Sequence, residues 1–335
     1  MNSTIEHWVN QWSVDEDSDI YRNINSQVNF FARELYHDYQ PTQGQAVSFQ
    51  DRLENWLLNA DDDDDKKTLF KILPHLFYVG NKEFAALYKV AYNELIASWL
   101  IDTDNIDFND LDDAKKQLDQ GIRDCWICPI TDSMQINAFF HINNIPNNRW
   151  NEWRPQWRRI EREGDNEPLW QSYESYITKH NIKKLVILED FVGSGSQIAG
   201  TVEFIMKKNL DLDVLLLPLI NCPDGVVRFN NLAENYDRLT YKSVMELPER
   251  CFVKETVAVD EPLEFVAFRQ LAKKTYLLVS GGIPELDNGK PYSPFGFRKT
   301  GGLVVMFTNT PNNTLPMVHW SSNSWFPIFL RHSRN

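Results

Sequence analysis

Two adjacent acids, Glu189 and Asp190, are followed at short range by Gly193, Ser194, Gly195 and Ser196. Glycines let a backbone turn tightly and aim several N–H groups at one point, and serine hydroxyls add donors there. An anion held by such a loop at the start of a helix also feels the positive end of the helix dipole. Carboxylates just upstream can accept hydrogen bonds from sugar hydroxyls or approach Mg2+. Sugar and phosphate recognised side by side mean a ribose phosphate. Two commoner phosphate loops do not fit: a Walker A loop needs a lysine that is missing here, and the dinucleotide fingerprint needs G-x-G-x-x-G with an acid about 20 residues later.

The elements around these residues follow from hydrophobic pattern. Leu185, Val186, Ile187 and Leu188 form an unbroken aliphatic run, which fits a strand covered on both faces. Gln197 opens an apolar-periodic stretch that reads as a helix, and 213–220 reads as the next strand, giving the β-α-β unit of a parallel sheet. An earlier strand is expected at 125–130, with Thr131, Asp132 and Ser133 in the loop at its end. Ligands bind at that position in doubly wound sheets, while the same three residue types are favoured helix caps. A further strand at 301–307 runs into Thr310, Pro311, Asn312, Asn313 and Thr314, where the asparagines could present amides to a ligand or close an Asx turn.

The aliphatic strand, acidic pair, two apolar residues and small-residue loop resemble the phosphoribosyl-pyrophosphate (PRPP) motif of type I phosphoribosyltransferases. The resemblance implies that Glu189 and Asp190 contact ribose hydroxyls, with Asp190 near Mg2+, and that Gly193, Ser194, Gly195, Ser196 and Gln197 bind the 5′-phosphate. It also implies that Asp132 and Ser133, beside Thr131, face pyrophosphate, and that the segment 143–159 closes over the site. Metabolic members usually carry Thr-Thr-Gly-Gly-Thr/Ser where this chain has Gly-Ser-Gly-Ser-Gln. This variant, together with the 310–316 segment and the Trp-rich end, is similar to a divergent phosphoribosyltransferase-like group of predicted effectors in bacterial conflict and anti-phage systems. That resemblance covers most of the chain and makes Asn312 and Asn313 site candidates. The implied ligand is PRPP or a nucleotide, with Mg2+ and a partner protein of a defence system. The implied roles are an enzyme of glycosyl transfer or nucleotide cleavage, or a non-catalytic nucleotide-sensing module that controls a partner.

The fold class expected is α/β, a doubly wound, mostly parallel sheet over 123–335 with a helical N-terminal domain over 1–122. Helices are expected at 26–36, 49–58, 67–79 and 82–100 from apolar spacing, with a helix also before the central strand at 168–180. The aspartates 61–65 read as a solvated loop or helix start, and 102–113 as a linker and cap. The region 223–300 gives one helix near 263–273 and otherwise irregular chain. The net charge of −13 excludes a general nucleic-acid binder, although Arg123, Arg149, Arg154, Arg158, Arg159, Arg162, Lys183 and Lys184 gather before the motif. The four cysteines form no disulfide framework, and Cys125 and Cys128 read as core residues. Trp150, Trp153 and Trp157 either pack a helix on the sheet or stack on bases. With no leader or long apolar segment evident, a cytoplasmic protein without membrane attachment is expected.

Overall fold

The aliphatic run at 185–188 is the middle of a nine-residue strand, and everything nearby is built on it. The structure, a computed structural model, describes all residues except 1–2, 15–17, 44–46, 146–152, 156, 158–166, 209, 287–289, 291 and 333–335. Its strands are β1 (Phe77–Val79), β2 (Cys125–Pro129), β3 (Lys184–Val192), β4 (Asp213–Asn221), β5 (Leu239–Tyr241), β6 (Met245–Glu246) and β7 (Val304–Met306). The chain divides into two compact units, one made of residues 82–248 and the other of 1–81 together with 249–335. Residue 122, the boundary expected from composition, falls inside the first of these.

The 82–248 unit holds the parallel sheet, in the order β2-β3-β4-β5, with β6 pairing the far end of β4. Leu185 and Ile187 of β3 and Val214 and Leu216 of β4 face a core with Tyr173 and Ile177 of the helix Glu167–Lys179 and Val202 and Ile205 of the helix Ser196–Lys207. The alternate residues, Val186, Leu188, Leu215 and Leu217, are equally buried on the other face. A strand buried on both faces has no polar positions to spare, which is why the sequence reads as a continuous apolar run there. A π-helical turn, Ala91–Ile96, joins the helices Asn81–Val90 and Ala97–Asp104 and lies against β4. Trp153 stacks on Trp126 and on Tyr173 at 5.8 and 4.6 Å, and Trp157 is buried against the same rings, so these two tryptophans pack the sheet. Trp150 and most of the expected closing segment lie outside the described residues. Cys125 and Cys128 are buried in β2, and burial raises both thiols well above their usual range.

The other unit joins the two ends of the chain. The Trp56 and Trp325 indoles both donate to Met317 O, at 2.8 and 2.9 Å, using its two lone pairs. Arg52 Nε donates to Ile328 O at 3.1 Å, and Tyr39 OH donates to Leu330 O at 2.8 Å. The Phe329 ring sits among Tyr36, Tyr39, Phe49 and Tyr78. The expected return of the 301–307 strand is met here: β7 pairs in parallel with β1 in a separate two-stranded sheet. β1 lies within the stretch expected to be helical over 67–79. The helix stops at Ile72, because Pro74 has no N–H to continue its hydrogen-bond ladder, and the chain leaves through a 3-10 turn into β1. Asp62 caps that helix through Asp65 N, with Asp63, Asp64 and Asp65 in its first turn, so the aspartate run is a helix start. Among the described residues no helix is long and apolar enough to cross a membrane.

His319 is fully buried in this unit, with Nε2 3.1 Å from Thr314 O. Burial, and after it the positive charge of Arg331, lowers its pKa from 6.5 to about 3. Below pH 6.5 the unfolded chain takes up a proton that the folded chain refuses, so stability is complete above 6.5 and falls as pH drops towards 3, by about 1.4 kcal/mol per pH unit. Comparing urea midpoints at about pH 7 and about pH 4.5, the wild type should lose ~3 kcal/mol more than H319Q, whose amide can keep the Thr314 bond. Equal losses in the two proteins would show that His319 does not carry this acid sensitivity.

Candidate functional site

Parallel pairing of β2 with β3 sets the site's geometry. Pro129 lies level with Leu188, and Ile130 N donates to Leu188 O at 3.0 Å, so the chain leaves β2 beside the acids that follow Leu188. Thr131 N donates to Glu189 Oε2 at 3.2 Å, and Thr131 Oγ1 donates to Glu189 Oε1 at 2.7 Å. Ser133 Oγ donates to Asp190 Oδ1 at 2.9 Å, and Phe191 N donates to the same oxygen at 2.8 Å. The two hydroxyls, Thr131 and Ser133, are themselves 2.6 Å apart. Both carboxylates are almost fully buried, at 4% and 3% exposed. Burying a carboxylate is costly unless hydrogen bonds replace its water, and this loop supplies them to both oxygens of Glu189 and to Oδ1 of Asp190. Burial first, and the negative charge of Asp190 second, raise the Tyr88 phenol well above its usual value, so Tyr88 faces the acid as a neutral group.

Beyond Asp190 the strand continues to Val192, and the chain turns through Gly193 and Ser194 into Gly195 at φ +67°. Gly195 is the N-cap of the helix Ser196–Lys207, and no side chain caps it among the described residues. The first-turn amides of a helix have no partner within it, so here they are open to solvent or to an anion. Ser194 Oγ and Ser196 Oγ are 3.2 Å apart on the half-exposed side of the loop, and Gln197 is exposed.

The loop rests on the helix Pro223–Glu234. A Cβ at Gly195 would come 3.1 Å from the Phe229 ring, and one at Gly225 would fall 2.9 Å from Gly193 O and 2.1 Å from Asn221 Oδ1. Arg228 Nε donates to Ser194 O at 2.8 Å. Asn221, fully buried at the end of β4, donates from Nδ2 to Tyr241 OH at 2.8 Å, and Tyr241 OH donates to Glu246 Oε1 at 2.9 Å. Burial, with the Glu246 bond adding to it, pushes the Tyr241 pKa up to about 12, which keeps the proton needed for that donation.

Of the residues expected from the sequence, the β3 end brings together Thr131, Ser133, Glu189 and Asp190, and the chain then runs on through Gly193, Ser194, Gly195, Ser196 and Gln197. Asp132 is exposed in the same loop as Thr131. Asn312 and Asn313 belong to the other unit, where Asn313 Nδ2 donates to Thr300 Oγ1 at 2.9 Å and Asn312 Nδ2 donates to Tyr292 OH at 3.3 Å. Their carbonyls also accept from Phe297 N and Gly302 N, so both stabilise a local turn. Lys183 precedes β3 and Lys184 begins it, at the end away from the acids, and they pair with Asp211 and Asp104. Arg154 stacks on Phe140 and donates to Asn137 Oδ1 at 2.8 Å, beside a cleft of about 430 Å³ that His141 and Asn144 also line. Arg149, Arg158, Arg159 and Arg162 lie outside the described residues. Sequence reasoning missed Gly225, Arg228 and Phe229, because 223–234 reads as irregular. The available signals were Pro223 at a favoured first helical position and the apolar spacing of Val226, Phe229 and Leu232.

Hard oxygen donors make this corner compatible with Mg2+. Among the described residues no group of three or more His, Cys, Asp or Glu side chains converges as a metal cage. The donor set therefore suits an ion carried mainly by the oxygens of a phosphorylated ligand and by water, with a carboxylate at its edge.

The family model described as PRTase-CE matches residues 53–331, which takes in parts of both units. Comparison with curated proteins and with solved structures finds no match.

A helical Gly-to-Ala change ordinarily stabilises by about 1 kcal/mol. At Gly225 the clash with a backbone oxygen should reverse the sign, so Gly225→Ala is expected to destabilise the protein by about 1–3 kcal/mol. Chemical denaturation measures this, and a variant more stable than the wild type would show that the loop does not depend on this close approach.

Proposed function

Because the chain belongs to the PRTase-CE family and is phosphoribosyltransferase-like, we propose that the end of β3 binds PRPP or a related ribose phosphate or nucleotide. The observation that carries this reading is the pair of buried carboxylates held by Thr131 and Ser133 directly ahead of an uncapped helix start. In this reading Asp190 and Glu189 face the ribose hydroxyls, while the Gly193–Ser196 backbone and hydroxyls take the 5′-phosphate. Asp132 and Ser133 lie on the side where a pyrophosphate or other leaving group departs. Mg2+, with Asp190 beside it, would neutralise charge on that departing group. Substitution at the anomeric carbon needs little covalent help from protein: it needs the phosphate and hydroxyls fixed, the leaving group stabilised and water kept away. We further propose that the protein acts in anti-phage defence as an effector that transfers or cleaves a ribose-phosphate compound.

A second reading is a non-catalytic nucleotide sensor that controls a partner protein. In this reading Glu189, both of whose oxygens accept from Thr131, holds the loop and the ligand and takes no part in proton transfer. The two readings differ in turnover.

Asp190→Asn tests both. Its Oδ1 can still accept from Ser133 and Phe191, so the fold should persist while the charge is lost. Calorimetry with PRPP and Mg2+ is expected to give binding to the wild type that weakens about tenfold or more in D190N. Turnover of PRPP or a nucleotide by the wild type, abolished in D190N, together with loss of protection against phage, identifies the effector enzyme. Binding with no turnover identifies the sensor. Equal binding by both proteins, or none by either, overturns the site.

A further inference from the structure

Gly225, Arg228 and Phe229 stand at i, i+3 and i+4 on the helix Pro223–Glu234, so they share one face, and all three meet the phosphate-type loop. Gly225 allows the helix to reach Gly193 O, Phe229 supports Gly195, and Arg228 donates to Ser194 O. We infer that Arg228 is the cationic half of an anion site whose other half is the Gly193–Ser196 loop, and that the group it takes is a phosphate monoester dianion. This rests on the ribose-phosphate reading of the β3 end and adds to it the charge that the loop lacks.

Three observations carry it. The loop contains no lysine, and its nearest charged neighbours along the chain, Glu189 and Asp190, are acids that repel a dianion. Arg228 is exposed and makes no ion pair among the described residues. Lys183, Lys184, Lys207 and Arg238 of the same unit each meet a carboxylate, whereas Arg228 meets the Ser194 carbonyl of the loop. Finally, the bond from Nε restrains the guanidinium and leaves its two Nη groups as donors for a pair of phosphate oxygens.

The test is calorimetric titration of the full chain with ribose 5-phosphate, inorganic phosphate and PRPP with Mg2+, for the wild type, R228Q and R228K. Because Arg228 is a surface residue with one backbone contact, both variants should fold, and thermal unfolding checks that. Expected are a ten- to hundredfold weakening of ribose 5-phosphate binding in R228Q, a smaller loss in R228K, and a shallower salt dependence in R228Q. Ribose 5-phosphate should bind more tightly than inorganic phosphate, which lacks the sugar that the acids read. Wild-type binding that R228Q leaves unchanged overturns the role of Arg228 while the ribose-phosphate reading stands. Equal losses in R228K and R228Q, with unaltered salt dependence, reduce Arg228 to a loop support and also overturn it. Absence of wild-type binding to all three probes overturns the underlying reading and this inference with it.

Discussion

Hydrogen bonds from the loop after β2 to the acids of β3 are the constraint on which the site depends. Neither Glu189 nor Asp190 could stay buried at the end of an apolar strand without them, since an unsatisfied carboxylate there would cost several kcal/mol or take up a proton. The donors come from a different strand, so the acids are only as well placed as the β2–β3 register is exact. A slip of one residue would move Thr131 from Glu189 and bring opposite faces of the strand into play. The long aliphatic runs of β3 and β4, buried on both sides, hold that register. In this sense the hydrophobic core of the sheet determines where two negative charges stand.

The loop beyond the acids depends on absence of side chains. Gly195 adopts a left-handed conformation against an aromatic ring, and Gly225 lets a second helix touch the Gly193 carbonyl. Asn221, Tyr241 and Glu246 form a hydrogen-bonded chain behind this contact, joining the ends of β4, β5 and β6. The small residues therefore permit close support of the loop from behind. Arg228 belongs to the supporting helix and binds the loop through the Ser194 carbonyl.

The central strand, the acids, the Gly-Ser loop and the strand before Thr131 were legible because each is a local pattern: an apolar run, a small-residue cluster, a polar loop. The aspartate run was legible as a helix start for the same reason, through capping. What escaped is tertiary. Nothing in the residues 77–79 announces that Tyr78 and Val79 will pair with Val305 and Met306 more than two hundred positions away. Pro74 was the local warning that the helix before them had ended. The helix carrying Arg228 was hidden by Gly225, an interior glycine that weakens a helical reading until the Gly193 carbonyl it accommodates is seen. Asn312 and Asn313 follow a strand, where asparagines can present amides or close a turn, and their partners at Thr300 and Tyr292 are tertiary contacts that the local sequence does not specify.

The joining of residues 1–81 with 249–335 in one unit has a consequence for synthesis. Residues 82–248 are contiguous, so that unit has all its strands as soon as they have emerged from the ribosome. The other unit must wait: Trp56 has no carbonyl to donate to until Met317 arrives, and the aromatic cluster around Tyr36 lacks its centre until Phe329 does. During that interval the N-terminal helices carry exposed apolar surface with its covering still untranslated. The unit containing the acids can thus mature while its companion still awaits Met317 and Phe329.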